Sequence, residues 1–154
     1  MTSTLPSESE LLQLTTAPTY HSAYENKLVT AKIVSVYDGD TCNALFRLAE
    51  GLPYYNYKVR LVGIDTPEMK PPISTPNRDQ IIIKAKQARD FIKEKTTGQL
   101  VTLELQGLDK YGRVLAKIYL AAQPTAESCI NTLLIGAGLA KAYDGGTKSE
   151  WVVQ

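Results

Sequence analysis

Five short apolar and β-branched runs, broken once by a long helical pattern, restrict this chain more than any other feature. Residues 28–36 form the first run, and Asp38-Gly39 closes it with a turn. Residues 41–47 form the second, followed by a turn at Glu50-Gly51-Leu52-Pro53. In the third, residues 55–64, Tyr57, Val59 and Leu61 alternate with Lys58 and Arg60, so Arg60 faces away from the apolar row. Residues 100–106 alternate with Val101, Leu103 and Leu105 inward, and residues 114–120 make the fifth run. Strands this short each have one face to bury, and a small closed barrel with helices packed outside buries all five.

Residues 69–77 hold three prolines and no period, which reads as a surface loop. A helix is predicted over residues 78–95, with Ile82, Ala85, Arg89 and Ile92 on or beside one stripe and Gly98 just beyond its end. A second is predicted over residues 127–137, with Ile130, Leu133, Leu134 and Ala137 on one face and Gly138 past the end. Residues 1–26 are rich in Ser, Thr, Glu and Pro and read as a flexible polar tail with a helical turn near residues 9–13. The patterned domain is residues 27–154, consistent with one domain in a chain of 154 residues. The fold class is α+β, mainly β: a five-stranded oligonucleotide/oligosaccharide-binding (OB) barrel with two packed helices, and a third only if the segment after Tyr143 forms one. Trp151 reads as a packing plug rather than a base-stacking platform.

Several chemistries are excluded early. The one histidine, His21, lies in the polar N-terminal segment, so a histidine metal site or a serine–histidine triad has almost nothing to work with. Acid–base work falls to carboxylates, lysines, tyrosines or water held by a metal. Cys42 and Cys129 make no disulfide framework and read as small buried hydrophobes. No run is long enough to span a membrane and no secretory signal is recognisable, which together point to an intracellular protein. A net charge of +1 implies modest long-range attraction for nucleic acid, although a compact site can still be locally cationic.

The chemistry concentrates at strand ends. Asp38-Gly39-Asp40-Thr41 and Asp65-Thr66-Pro67-Glu68 are acidic turns, Arg60 lies in the strand before the second, and Arg113 follows Asp109-Lys110-Tyr111-Gly112. Carboxylates with arginines are the parts needed to hold a hard cation against a phosphodiester. Two carboxylates ~4 Å apart repel by about 4 kcal/mol at an effective dielectric of ~20, a cost that a bound cation removes. Oxygen ligands without His or Cys favour Ca²⁺ or Mg²⁺ over zinc. Each piece has a plainer reading: Asp-Gly-Asp as a hairpin turn, Glu68 as a surface carboxylate, Arg60 as half of a surface ion pair, Arg113 as a turn residue.

Taken together, the blocks Asp-Gly-Asp-Thr, Arg-Leu-x-x-Ile-Asp-Thr-Pro-Glu and Asp-Lys-Tyr-Gly-Arg resemble the signature of the staphylococcal nuclease family, in its order, within residues 28–143. The resemblance implies the same barrel and a Ca²⁺-dependent endonuclease that cleaves DNA and RNA to leave 3′-phosphates. It implies metal ligation by Asp40, Asp65 and the Thr66 carbonyl, with Asp38 behind them. It assigns Glu68 to water activation and Arg60 and Arg113 to the phosphate. Lys110 and Tyr111 would meet a terminal phosphate, and Tyr143 would stack or pack beside the base. The expected partner is single-stranded or flexible nucleic acid, bound by a monomer with no membrane association. The alternative is a catalytically inactive module of the same fold that binds nucleic acid or peptide.

Overall fold

The computed structural model describes residues 7–146 and Trp151. A short helix, α1 (Glu8–Gln13), opens it, and a reciprocal cap fixes its start. Ser7 Oγ accepts the Glu10 N–H at 3.2 Å, and the Glu10 carboxylate accepts the Ser7 N–H at 2.9 Å. A 3₁₀ turn over Tyr20–Tyr24 then sets Tyr24 edge-on against Tyr57, with ring centroids 6.2 Å apart.

The barrel consists of β1 (Glu25–Asp38), β2 (Thr41–Phe46), β3 (Tyr55–Leu61), β5 (Leu100–Leu108) and β6 (Val114–Tyr119), closed in the order β1-β2-β3-β6-β5. All junctions are antiparallel except β3 with β6, which is parallel and pairs Val59 with Val114 and Arg60 with Leu115. Inward rows such as Val59 and Leu61, or Val101, Leu103 and Leu105, are buried as the alternation requires. Phe46 closes one end by stacking on Tyr57 at 4.0 Å.

The third run does not continue to residue 64. It breaks at Gly63, whose φ of +77° suits glycine, and Ile64–Asp65 leaves the barrel as a separate strand, β4. β4 pairs with β7 (Lys141–Ala142). This break aims the second acidic turn away from the sheet.

Helix α2 (Arg78–Thr96) buries Ile81, Ala85, Ala88, Ile92 and Thr96. Ala85 and Ile92 are buried as predicted, but Ile82 and Arg89 are half-exposed, and Ile81 and Ala88 are buried in their place. Three consecutive isoleucines, Ile81 to Ile83, leave the phase open; the small side chains of Ala85 and Ala88 fix it, because they allow close approach to the barrel.

The predicted second helix is a 3₁₀ turn, Ala126–Ser128, and then α3 (Ile130–Gly136), which buries Ile130, Asn131 and Leu134. Leu133 is half-buried and Ala137 exposed, while the polar Asn131, off the predicted apolar face, is buried. Its Nδ2 donates to the carbonyls of Val62 at 2.8 Å and Ala116 at 3.4 Å, and its Oδ1 accepts the Ile118 N–H at 3.1 Å. Asn131 thus ties the helix to β6 and to the turn before β4. Each buried backbone group left unpaired costs about 1–3 kcal/mol, so Asn131→Ala is expected to lose about 2–4 kcal/mol of stability. Urea unfolding with an unchanged m value checks this.

Trp151 lies against two lysines, with Lys141 Nζ 4.3 Å and Lys84 Nζ 5.5 Å from its ring centre. The question of a further C-terminal helix falls on residues 147–150 and 152–154, outside the described residues. Among the described residues, no helix is long and apolar enough to cross a membrane.

Candidate active site

The first acidic turn is built to be approached closely. The Asp40 N–H donates to Asp38 Oδ1 at 3.0 Å, which fixes the turn between β1 and β2. A Cβ on Gly39 would stand 2.6 Å from the Ala88 Cβ and 2.8 Å from the Thr66 methyl. Glycine here lets helix α2 and the second acidic turn press directly against the first.

That contact joins the two acidic turns. Asp40 is 8% exposed, and its Oδ2 accepts the Thr66 N–H at 3.2 Å and stands 3.3 Å from Arg60 Nη1. Its Oδ1 accepts the Thr41 hydroxyl at 3.2 Å. Asp65 is also buried, at 5%, and so are Thr66 and Pro67. Thr66 Oγ1 is buried and has no hydrogen-bond partner among the described residues. Glu68 then emerges exposed at the cleft. Burial, followed by the charge and hydrogen bonding of Asp40, pushes the Asp38 carboxyl up to about 7. Burial and the same acidic turn push the Cys42 thiol up to about 12, which makes it an inert core residue.

The two arginines are held differently. Arg60 is nearly buried, and it donates to the Leu61 carbonyl at 2.6 Å and the Ile64 carbonyl at 2.9 Å. It therefore braces the chain across the break between β3 and β4 as well as facing Asp40. Arg113 Nε donates to Asp109 Oδ2 at 2.6 Å, while Asp109 Oδ1 accepts the N–H groups of Tyr111 and Arg113, both at 2.9 Å. Burial favours the neutral Asp109 carboxyl, but the bonds from Arg113 and Tyr111 and the guanidinium charge outweigh it and hold the group below its ordinary value. The parallel β3–β6 junction brings the Arg113 turn beside the end of β3 that carries Arg60.

The result is an open cleft of about 630 Å³ at the barrel mouth. Asp38, Asp40, Arg60, Glu68, Tyr111 and Arg113 line it. Asp65 and Thr66 stand behind Asp40 rather than in the lining. Tyr111 is 74% exposed, with Lys110 Nζ 5.2 Å and Arg113 Cζ 5.7 Å from its ring centre, so Lys110 sits at the rim. Tyr143 is not brought into the cleft. Its N–H donates to the Gly63 carbonyl at 2.9 Å and its hydroxyl donates to the Gly146 carbonyl at 2.6 Å. Sequence reasoning missed Asp109, although its i,i+4 spacing to Arg113 across a Gly-containing turn was a signal. It also missed Tyr37, Asn43 and Lys58, which line the cleft and belong to no motif.

Among the described residues, no cluster of three or more His, Cys, Asp or Glu could hold a metal ion. The donors present are two buried carboxylates, main-chain oxygens and the unpartnered Thr66 hydroxyl. That set is all oxygen and suits a hard cation rather than zinc.

The chain is thus a closed five-stranded barrel with an acidic turn and two arginines gathered at one open cleft. The sequence profile described as Staphylococcal nuclease homologue matches residues 58–150, more than half of the chain, and the chain belongs to that family. It is 39% identical over 87 residues to a thermonuclease of Staphylococcus intermedius, covering 55% of this chain and 46% of that protein. It is 31% identical over 138 residues to Endonuclease YncB of Bacillus subtilis (strain 168), covering 86% and 58%. An uncharacterized endonuclease of Escherichia coli is 27% identical over 116 residues, covering 75% and 62%. The chain thus spans roughly half to three fifths of the length of these relatives.

Proposed function

We propose that the chain is a Ca²⁺-dependent nuclease that hydrolyses phosphodiesters of DNA and RNA, with residues 27–154 as the catalytic domain. The observation that carries this reading is the convergence of Asp40, Arg60, Glu68 and Arg113, from separate stretches of sequence, on one open cleft. The name Endonuclease YncB of the relative that aligns with 86% of the chain supports it.

In this reading Asp40, Asp65 and the Thr66 carbonyl would hold Ca²⁺, with Asp38 supporting the turn that carries Asp40. When bound, Ca²⁺ would offset the charge of the acids that hold it and supply Lewis-acid stabilisation of phosphate charge. Glu68 orients a water and takes its proton as the water oxygen bonds to phosphorus. The bond from phosphorus to the 5′ oxygen breaks, and that oxygen leaves with its electron pair and is protonated from solvent, which leaves a 3′-phosphate. Arg60 and Arg113 donate to the equatorial oxygens as charge builds on them, so their contacts strengthen in the transition state. Lys110 and Tyr111 meet a terminal phosphate at the rim, whereas Tyr143, which lies outside the cleft, is given no contact with the substrate. The substrate is single-stranded or flexible nucleic acid, and the enzyme acts as a monomer.

The test is cleavage of labelled single-stranded DNA and RNA with Ca²⁺, with Mg²⁺ and with chelator. Cleavage with Ca²⁺ alone, leaving 3′-phosphate ends, supports the reading; binding without cleavage in Ca²⁺ overturns it. That second outcome would leave a silent binding module, the role favoured by the use of Arg60 as a brace on two backbone carbonyls.

Loss of a ligand is a second check. Ca²⁺ affinity is graded over decades by ligand charge, so Asp40→Ala or Asp65→Ala is expected to weaken Ca²⁺ binding by ~10-fold or more. Calorimetry measures the affinity, and far-UV dichroism confirms that the barrel persists. Unchanged affinity in both variants would remove the acids from the metal site.

A further inference from the structure

A second concavity shares the outer face of the barrel with the cleft. Side chains alternate along a strand, so Thr41, Asn43 and Leu45 of β2 face outward beside Arg60, Lys58 and Asn56 of β3, each directly opposite its partner. One step further, past the strand ends, Arg47 lies over the Tyr54 ring, 5.0 Å from its centre. β1 adds a third column, with Ser35 opposite Asn43 and Lys32 opposite Leu45. Polar bonds link the columns: the Ser35 hydroxyl donates to Asn43 Oδ1 at 3.3 Å, and Asn43 Nδ2 donates to Asn56 Oδ1 at 3.1 Å.

This row starts in the cleft, which Asn43 and Lys58 line. It ends in an open groove of about 440 Å³ lined by Lys27, Thr30, Arg47 and Tyr54. From Arg60 to Tyr54 the extended backbone spans about 20 Å at ~3.3 Å per residue.

The chemistry of the row is unlike that of the chain as a whole. Overall charge is near balance, yet Lys32, Arg47 and Lys58 stand along this face, and none is in an ion pair among the described residues. Glu50, in the β2–β3 loop, is the carboxylate at the groove. Tyr54 is 62% exposed and so offers a ring to solvent beside a guanidinium. A cationic track ending in an exposed aromatic fits a nucleic-acid strand whose phosphates follow the charges and whose base stacks on the ring. A duplex keeps its base faces hidden, so the fit is to a single strand.

We propose that this face binds the single-stranded segment of the substrate that flanks the scissile phosphate, with phosphates passing Lys58 and Lys32 and a base stacking on Tyr54 beside Arg47. The assignment rests on the nuclease reading for what lies in the cleft, but its test needs no cleavage. Fluorescence anisotropy in chelator compares the oligonucleotides dT12 and dT2, which differ in whether they can reach the groove. The wild-type chain is expected to bind dT12 more tightly than dT2. Tyr54→Ala combined with Arg47→Ser is expected to weaken dT12 by ~10-fold or more and to leave dT2 within about twofold, since stacking of this kind is lost on alanine substitution. Tyr54→Phe, which keeps the ring, is expected to retain dT12 affinity. Lys86→Ser on the exposed side of α2 serves as a charge control and is expected to change neither. Equal binding of dT12 and dT2 by the wild type, unchanged dT12 affinity in the double variant, or an equal loss in Lys86→Ser overturns the proposal. Binding of dT12 through Tyr54 without any cleavage in Ca²⁺ would overturn only the enzymatic reading. Cleavage without length-dependent binding would overturn only this face.

Discussion

Glu68→Gln is expected to lower turnover by ~10²–10⁴-fold, the usual worth of general-base assistance, while Ca²⁺ and a nucleotide inhibitor still bind. The structural case is positional. Pro67 and Thr66 are buried, and the Thr66 N–H is tied to Asp40, so the backbone that delivers Glu68 to the cleft is fixed by the first acidic turn. Glutamine keeps the size of the side chain and much of its hydrogen bonding, but cannot take a proton. Inhibitor affinity separates loss of chemistry from a rearranged loop. Normal inhibitor affinity with normal turnover would take Glu68 out of the mechanism.

Arg113→Lys is expected to cost ~10²–10³ in turnover, the scale seen when one transition-state donor is lost. Asp109 holds Arg113 through Nε, so the two terminal nitrogens are the atoms left to meet a phosphate in a forked contact that lysine lacks. Because Asp109 titrates below its ordinary value in the folded chain, stabilisation from this pair is complete above that ordinary value. It is lost only as pH falls through the lower folded value, so the anchor holds throughout the neutral range. Arg60→Lys is expected to lose activity on the same scale, but it also removes the brace to the Leu61 and Ile64 carbonyls. Urea unfolding run beside the assay distinguishes the two arginines: Arg60→Lys should lose stability and Arg113→Lys should lose little. Near-normal turnover in both would reduce them to steering substrate.

The barrel strands were legible because period-two alternation reports directly on a sheet with one buried face, as in Val101, Leu103 and Leu105. The phase of α2 was legible only in part, in Ala85 and Ile92, because adjacent isoleucines satisfy several stripes and the choice falls to Ala88 against Gly39, a contact between distant stretches. Asn131 was invisible for a related reason, since its value lies in backbone groups of β6 and of the turn before β4 that no local pattern identifies. Within the candidate site, the acidic turns and both arginines were readable as residue types in a familiar spacing. That Arg60 also braces a chain break, and that Asp109 orients Arg113, follows only from where the backbone goes after Leu61 and Gly112. The motif-free residues Asn43, Lys58 and Tyr54 owe their interest to the register of β1, β2 and β3 and not to spacing.

The parallel junction of β3 with β6 has a consequence for how activity is acquired. It joins strands far apart in sequence, and it is the seam that sets the Arg113 turn next to Arg60. Non-local pairings of this kind are entropically costly and form slowly. A chain that has made its β1–β2–β3 meander and its β5–β6 hairpin but has not sealed that seam holds every cleft residue yet has no cleft. Recovery of turnover during refolding would therefore time the sealing of the barrel, later than any signal from secondary structure, and the cleft itself would serve as the probe.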